Sequence, residues 1–314
     1  MENKQSPADQ YIRIDNSQKY YLFKTALPEM ERLNQETVEK RDAEIKEELE
    51  KNPLYLPPAP PEKLHIFIQD KPFKISLGVE NLETLAILDE RAVDVLDYIV
   101  SRIILRKPSP SEEITINIDS MLTTFGLKRN TYSPGKECGY STAQRRQHFN
   151  YIEALSRLWI ITEEQEGKKG EKRVVEQRLF AVRQRERDST TSAITEVTIQ
   201  LNAFFDNLLT ETRQCTANIP TKTLGLHPIN RSFEKRIGKY FHRFSKKERA
   251  HYMFSILKNC QIPVDKKRKS AFRKRVEQAL DRLVTDDIII RYAYLSRADT
   301  FDLWLDAKLE IVLP

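Results

Sequence analysis

A block of basic residues in the C-terminal third of the chain holds the side chains best suited to bind a ligand by charge. Between Arg231 and Leu280 there are 16 Lys or Arg residues against 4 Asp or Glu, a net charge of +12. The whole chain of 314 residues carries only +6, so the remainder is acidic at −6. Such concentration predicts a polyanion-binding surface, most simply for nucleic acid, whereas the alternative is a solvated helix face.

The end of this block has the pattern of a helix that enters the major groove. After Ser270, which can cap it, the apolar residues recur at helical spacing and turn one face inward: Phe272, Val276, Ala279, Leu280 and Leu283. Lys267, Lys274 and Gln278 then lie opposite that face, where they can reach base edges, and Arg273 and Arg275 flank them, where they can contact phosphates. The preceding loop is placed for backbone contacts through Lys266, Lys267, Arg268 and Lys269.

A second segment, from Thr142 to Arg157, follows the capping residue Ser141 and is also predicted to be a helix with one inward face and one outward polar face. It carries fewer charges than the basic helix. Its predicted inward residues are His148, Ile152, Leu155 and Trp159, and its outward residues are Arg146, Asn150, Glu153 and Arg157. Arginine suits guanine and asparagine suits adenine, so Arg146 and Asn150 are predicted base readers. Gln144 and Arg145 lie at the entering end of the helix. Ordinary surface polarity is the alternative interpretation.

A Gly167–Gly170 turn suggests a hairpin tip after this second helix. Its basic residues could contact flanking phosphates or the minor groove, although such residues also serve solubility: Lys168, Lys169, Lys172 and Arg173.

The elements that must position these residues occur twice in the same order. The pattern predicts a helix over 90–106, a strand over 114–118, a short helix ended by Gly126, the helix over 142–157, and strands over 159–162 and 174–182. It continues with a helix carrying Phe233 to Phe244, a helix that starts at the capping box Ser245–Glu248 and carries Met253, Phe254 and Leu257, the basic helix, and strands over 288–294, 301–305 and 309–313. This order is typical of a winged helix. The sequence therefore predicts an α+β fold with two winged-helix domains in tandem.

An acidic helical extension precedes the two predicted domains. Residues 1–60 hold 9 Lys or Arg against 12 Asp or Glu, and Pro28–Lys51 is rich in helix formers. The proline cluster Leu56–Pro61 is typical of a stiff polyproline linker, with a docking motif as the alternative. Strands are predicted at 64–68 and 73–77. The predicted boundaries are 1–61 for the extension and linker, 62–210 for the first winged helix and 211–314 for the second.

Enzyme and metal motifs are missing from the sequence. It contains no G-x-x-x-x-G-K-[ST] phosphate loop and no His-hydrophobe-His motif of a nicking enzyme. The three cysteines, Cys138, Cys215 and Cys260, show no C-x-x-C pairing, so we expect neither a metal site nor a disulfide framework. No apolar run is long enough to span a membrane, and residues 1–10 (MENKQSPADQ) lack the apolar region of a secretory signal, so we expect neither a membrane protein nor a secreted one. We expect a cytoplasmic protein without cofactors or catalytic activity.

Two segments make the chain resemble the tandem winged-helix replication initiators of iteron-containing bacterial plasmids. They are Asn230–Tyr240 (NRSFEKRIGKY) and Ala271–Leu283 (AFRKRVEQALDRL), the latter followed by Ile288–Tyr294 (IIIRYAY). The segment Ser141–Trp159 and the strand Val197–Leu201 are similar to the end of the first unit of such initiators. The resemblance extends over roughly residues 85–314, and the acidic helix and proline cluster lie outside it.

This resemblance implies a function in starting replication. It implies binding to directly repeated origin sites in double-stranded DNA, melting of an adjacent AT-rich segment, and recruitment of the host initiator and replicative helicase. It also implies a switch between homodimers and DNA-binding monomers. Two recognition helices in successive major grooves would lie about 10–10.5 bp apart, so a site of roughly 20 bp is expected. A transcriptional repressor or a partition adaptor on the same fold is the alternative, and a recombinase or nickase a weaker one.

Overall fold

The computed structural model of the chain combines helices and strands, which confirms the predicted α+β class. It describes residues 11–15, 27, 30–56, 64–70, 73–79, 87–106, 113–133, 136–137, 139–166, 171–202, 216–226, 231–242, 250–253, 256, 260, 269–297 and 299–304. The helices are α1 (Met30–Lys51), α2 (Glu90–Arg106), α3 (Ile118–Thr124), α4 (Thr142–Ser156), α5 (Thr221–Gly225), α6 (Ser232–Phe241) and α7 (Lys269–Thr285). 

The strands fall into five small sheets. They are β1 (Tyr11–Asp15), β2 (Leu64–Asp70), β3 (Phe73–Val79), β4 (Glu113–Asn117), β5 (Thr131–Ser133), β6 (Lys136–Glu137), β7 (Leu158–Glu166), β8 (Glu171–Arg178), β9 (Phe180–Arg187), β10 (Ile194–Leu201), β11 (Thr216–Pro220), β12 (Ala250–Tyr252), β13 (Arg291–Leu295) and β14 (Thr300–Trp304). The sheet orders are β1-β11, β4-β10-β9, β12-β14-β13, β2-β3-β7-β8 and β5-β6.

The chain divides into two compact units. The central unit comprises 17–119 and 140–214, and the C-terminal unit comprises 1–16, 120–139 and 215–314. The predicted boundaries after residues 61 and 210 remain predictions.

The central unit is organised around the antiparallel sheet β4-β10-β9. Burial in β4 alternates, so that Ile114 and Ile116 point inward and lie opposite the fully buried Ile199 and Val197 of β10. This alternation is what a strand with one face on a core requires. Helices α2 and α4 contact each other in the same unit.

Helix α2 begins at a side-chain cap. Asp89 accepts hydrogen bonds from the backbone N–H groups of Arg91 (2.8 Å) and Ala92 (3.1 Å), which would otherwise lack partners. The other carboxylate oxygen of Asp89 accepts from the Tyr151 hydroxyl at 3.2 Å, and so ties α2 to α4. The bounds of α2 confirm the predicted helix over 90–106.

The hairpin that completes the β4 sheet differs from the predicted one. We expected strands at 159–162 and 174–182, with a tip at Lys168, Lys169, Lys172 and Arg173, to form the wing. Residues 158–166 and 171–178 instead form β7 and β8, which extend the sheet begun by β2 and β3. The chain bends at the buried Leu179, and the hairpin β9–β10 pairs with β4. The predicted strand over 174–182 is therefore two strands in two sheets.

The C-terminal unit contains the sheet β12-β14-β13, whose strand order repeats that of β4-β10-β9. In both sheets the first strand pairs with the last strand of a hairpin. The hairpin β13–β14 follows the long helix α7 directly, whereas β7 and β8 lie between the long helix α4 and the hairpin β9–β10. Helices α6 and α7 contact each other and share a core with Met253, Ile288 and Phe301.

A close approach of helices in this core depends on Gly238. A Cβ atom added there would lie 3.1 Å from Thr223 Cγ2 and 3.5 Å from Leu283 Cδ2. The absent side chain thus lets α6 pack directly on α5 and α7.

The helix predicted to begin at Ser245 and include Met253 is wrong at residues 250–252. Ala250, His251 and Tyr252 form β12, which pairs with Asp302, Phe301 and Thr300. A cross-strand pairing some 50 residues away overrides the local capping-box signal there. Residues 245–249 lie outside the described residues, as do Phe244, the linker beyond Leu56 and the predicted strand at 309–313.

Other predicted elements are present with small shifts. Helix α1 matches the predicted acidic helix, and β2 and β3 match the predicted early strands. Helix α3 ends as predicted, since Gly126 has φ +64° and the Leu127 N–H donates back to the Leu122 carbonyl. The predicted strand over 288–294 begins only at Arg291.

Candidate nucleic-acid interface

Helix α7 is anchored by the apolar face that its sequence predicts. Val276, Ala279, Leu280 and Leu283 are each at most 2% exposed, and Phe272 packs against the same core. Residues three and four positions apart lie on one side of a helix, so this burial leaves the opposite side to solvent. The predicted inward face is confirmed.

The opposite side of α7 presents basic and amide groups. Arg273, Lys274, Arg275 and Gln278 are all exposed. Lys274 and Gln278 are one turn apart, so both can contact the same ligand. We call Arg273, Lys274, Arg275 and Gln278 the α7 cationic face.

Two neighbouring aromatic rings support the flanking arginines of the α7 cationic face. The Arg273 guanidinium carbon lies 5.0 Å from the ring centroid of Tyr294 in β13, and that of Arg275 lies 4.6 Å from Phe233 in α6. Arg273 Nε is also 3.7 Å from Glu277 Oε1. Cation–π contacts at exposed sites are worth about 0.5–1 kcal/mol each, enough to bias the rotamers of both arginines. These two groups are therefore positioned on opposite flanks of the helix.

The ring beneath Arg273 is itself fixed by the β13–β14 turn. The Tyr294 hydroxyl donates a 2.8 Å hydrogen bond to Asp299 Oδ1, and the Met253 N–H donates to the Asp299 carbonyl at 3.0 Å. Asp299 has φ +54°, a conformation that aspartate tolerates better than most residues. The turn, the ring and the arginine thus form one connected support.

The second half of α7 serves packing instead. Asp281 accepts a 2.7 Å hydrogen bond from the Tyr292 hydroxyl, and Arg282 pairs with the buried Glu234 at 2.5 Å. Beyond the helix, Arg231 pairs with Asp286 at 2.7 Å. The exposed basic groups Arg273, Lys274 and Arg275 thus lie in the first half of α7, the end by which helix-turn-helix proteins contact bases, and Gln278 follows just past its midpoint.

The entering end of α4 is occupied by internal contacts. Ser141 and Gln144 form a reciprocal capping box, and Arg145 donates to both carboxylate oxygens of Asp119 at 2.7 Å. The hydrogen bonds to Asp119 raise the pKa of Arg145 above its ordinary value. In this structure the two predicted DNA contacts Gln144 and Arg145 stabilise the helix and its neighbour.

The rest of α4 is less accessible than predicted. The buried residues include the predicted His148, Ile152 and Leu155, but also Phe149, Tyr151, Ala154 and Ser156. Of the four predicted outward residues, Arg146 is exposed, whereas Asn150, Glu153 and Arg157 are half-buried. Trp159 is half-buried and carries the Arg178 guanidinium 4.9 Å above its ring.

Sequence reasoning missed Arg185, which lies beside this part of α4. Its Nη2 is 3.2 Å from Glu153 Oε1, and its guanidinium carbon is 5.5 Å from the Phe149 ring centroid. The alternating arginines of the segment Arg183–Arg187 are a signal that could have drawn attention to it.

The remaining predicted contacts are only partly described. The structure describes the backbone of Lys172, which belongs to β8, and that of Lys269, which is the first residue of α7. The other basic loop residues lie outside the described residues: Lys168, Lys169, Lys266, Lys267 and Arg268.

The described residues contain neither a cluster of metal-ligating side chains nor a helix suited to span a membrane. No three His, Cys, Asp or Glu side chains there come together as a metal site. No helix in the described part of the chain has the length and apolar character needed to cross a membrane.

Comparison with known proteins gave distant structural neighbours. No family model and no curated protein matches the chain. A crystal structure of selenomethionine derivatives of domains 2 and 3 of RctB is similar, with a TM-score of 0.43 and 12% identity over 73% of this chain and 81% of that one. A second crystal structure of RctB domains 2–3 gives a TM-score of 0.39 and 12% identity, over 73% and 80%. TM-scores of this size do not establish a common fold.

Proposed function

We propose that this chain is a sequence-specific, double-stranded DNA-binding protein that starts replication of a plasmid. The observation that carries the proposal is the α7 cationic face, with four exposed donor-bearing side chains on one side of a helix whose other side is buried. A helix built in this way can enter the major groove, with Lys274 and Gln278 at base edges and the supported arginines on phosphates.

The strand order of the two small sheets supports a tandem winged-helix architecture. Winged helices have a strand between the first and second helices, and it pairs with the far strand of a hairpin that follows the recognition helix. The orders β4-β10-β9 and β12-β14-β13, with α4 and α7 ahead of the hairpins, have this form. On this proposal α7 is the main recognition helix and α4 a second one, entering by Arg146 and its neighbours.

Replication initiation is proposed on the resemblance carried by Asn230–Tyr240 and Ala271–Leu283. In α6 and α7 these segments supply the contacts that hold the basic helix, including Phe233 beneath Arg275 and Glu234 beside Arg282. The proposed action is binding to repeated origin sites, opening of an adjacent AT-rich tract, and recruitment of the host initiator and helicase, without strand cleavage. We include a homodimer among its proposed states.

Selection of bound duplexes from a random library tests the DNA-binding part. We expect an enriched motif that recurs as direct repeats beside an AT-rich tract in the replicon, and a footprint of roughly 20 bp per site. Enrichment of a single palindrome would favour a repressor, and no enrichment would contradict sequence-specific binding.

Permanganate reactivity of thymines on a negatively supercoiled origin plasmid tests the opening step. We expect reactive thymines in the AT-rich tract only when the protein is bound to its repeats. Binding without any reactive thymines, with or without the host initiator, would contradict initiation. A covalent protein–DNA adduct or nicked plasmid would contradict the proposal that the chain has no catalytic activity.

A further inference from the structure

A carboxylate on α4 sits between two arginines that belong to different elements. Glu153 Oε1 lies 3.4 Å from Arg157 Nη2, at the end of the same helix, and 3.2 Å from Arg185 Nη2 of β9. The two arginine side chains are 41% and 43% exposed, and that of Glu153 is 29% exposed. One negative charge therefore offsets two positive charges at the surface of the central unit.

The position of Arg185 on the α4 side of the sheet follows from its register. It pairs with Val197, which is fully buried, and its guanidinium lies over the Phe149 ring of α4. Arg183 lies on the other side, because it donates hydrogen bonds to Gln200, whose position alternates with the buried Ile199 and Leu201. A register irregularity between Thr198 and Ile199 separates the two arginines.

The arginine pair lies on the same side of α4 as the predicted base readers. Arg146, Asn150, Glu153 and Arg157 are spaced by three or four residues, so they follow one another along a single stripe. Arg146 is exposed at the entering end of the stripe, and Arg185 adds a second charge at its far end. A polyanion lying along this stripe would meet three guanidinium groups and a single carboxylate.

We propose that Arg157 and Arg185 form a phosphate clamp on DNA, with Glu153 as the internal counter-ion that a backbone phosphate displaces. The proposal rests on the DNA-binding function proposed above and assigns to it a second contact surface. A guanidinium binds phosphate through two parallel N–H donors, more strongly than it binds a partly exposed carboxylate at one oxygen. Glu153 keeps the two arginines in place without a ligand and lowers affinity by competing for them.

Three single variants test the clamp, with affinity for a duplex measured by fluorescence anisotropy over 50–200 mM salt. Arg185→Gln should weaken binding to specific and random duplexes alike and reduce the salt slope by about 0.9, the value for one phosphate contact. Glu153→Gln should strengthen binding by about 2- to 5-fold, the range that weak surface ion pairs imply. Arg183→Gln removes the same charge from the same strand on the other side of the sheet, and should leave both quantities unchanged.

A further variant distinguishes loss of the clamp from loss of the fold. Arg185→Lys keeps the charge and should retain the salt slope while losing part of the affinity, because lysine cannot form the paired donors. Equal effects of Arg185→Gln and Arg183→Gln, or weaker binding by Glu153→Gln, would overturn the clamp. If the clamp alone fails, substitutions in the α7 cationic face still reduce binding. If those substitutions also have no effect, the proposed DNA-binding function fails.

Discussion

The two flanking arginines of the α7 cationic face give the sharpest quantitative prediction. Each is exposed and each rests on an aromatic ring, 5.0 Å away for Arg273 and 4.6 Å for Arg275. If each neutralises one phosphate, Arg273→Ala or Arg275→Ala should lower the salt slope of binding by about 0.9. Between 50 and 200 mM salt, the ratio of wild-type to variant affinity should then change by about 3.5-fold for one substitution and about 12-fold for both.

Lys274 and Gln278, which lie between the two arginines of the α7 cationic face, should affect sequence preference more than salt dependence. Lys274→Ala and Gln278→Ala should cost about 1–3 kcal/mol on the preferred site and little on random duplex, because base contacts carry the discrimination. Lys222→Ala is the matched control, since this exposed lysine of the C-terminal unit pairs with Asp287 beyond the far end of α7. Both duplexes should be titrated by anisotropy at several salt concentrations. Equal losses for the inner and flanking pairs on both duplexes would refute the assignment of roles.

Three further predictions concern the elements that support the interface. Gly238→Ala should give no net stabilisation in urea and at most about 1–2 kcal/mol of destabilisation, because crowding of the added Cβ against Thr223 offsets the roughly 1 kcal/mol that alanine gains in helix propensity, whereas a raised midpoint would contradict the packing. Ser141→Ala should cost about 1 kcal/mol through loss of the capping box with Gln144, measured in the same way. Burial lowers the pKa of His242 from its ordinary 6.5, so stability is fully present above that value and should fall as pH decreases below it, by up to about 1.4 kcal/mol per unit. Urea midpoints between pH 5 and 7.5 should show this slope, and His242→Gln should reduce it but not abolish it, because burial also lowers the pKa of His148.

The long helices α1, α2, α4 and α7 were predictable because their signals are local. The apolar spacing in α2 and α7, and the capping residue Ser141 before α4, occur within single turns of helix. The facing of Val276 and Leu280 follows from the same spacing, which is why the inward side of α7 could be predicted to the residue.

The errors in the sequence-based fold concern pairing between distant segments. The three residues of β12 carry too little pattern to outweigh a nearby capping box, and only their pairing with β14 makes them a strand. Similarly, no Gly or Pro interrupts the segment Val174 to Val182, so the sequence predicts one strand, but the chain changes sheets at Leu179. Strand register depends on partners far along the chain, which composition alone does not identify.

The candidate site shows the same limit. Arg145 is held by Asp119, 26 positions away along the chain, and Arg185 is held by Glu153, 32 positions away. Charge counting assigns Arg145 to DNA because it does not reveal the bidentate contact with Asp119, and it overlooks Arg185 because the strand register that brings β9 beside α4 is not visible in the sequence.

Photo-crosslinking from α7 tests the central claim most directly. A photoreactive p-benzoylphenylalanine at the exposed Gln278 should crosslink to a duplex carrying the selected site, and excess unlabelled site should abolish the product. The same group at Glu50, on the exposed acidic helix α1, is the control and should give no adduct. Crosslinking from Glu50 alone, or equal yields from both positions, would contradict the placement of the α7 cationic face in the groove.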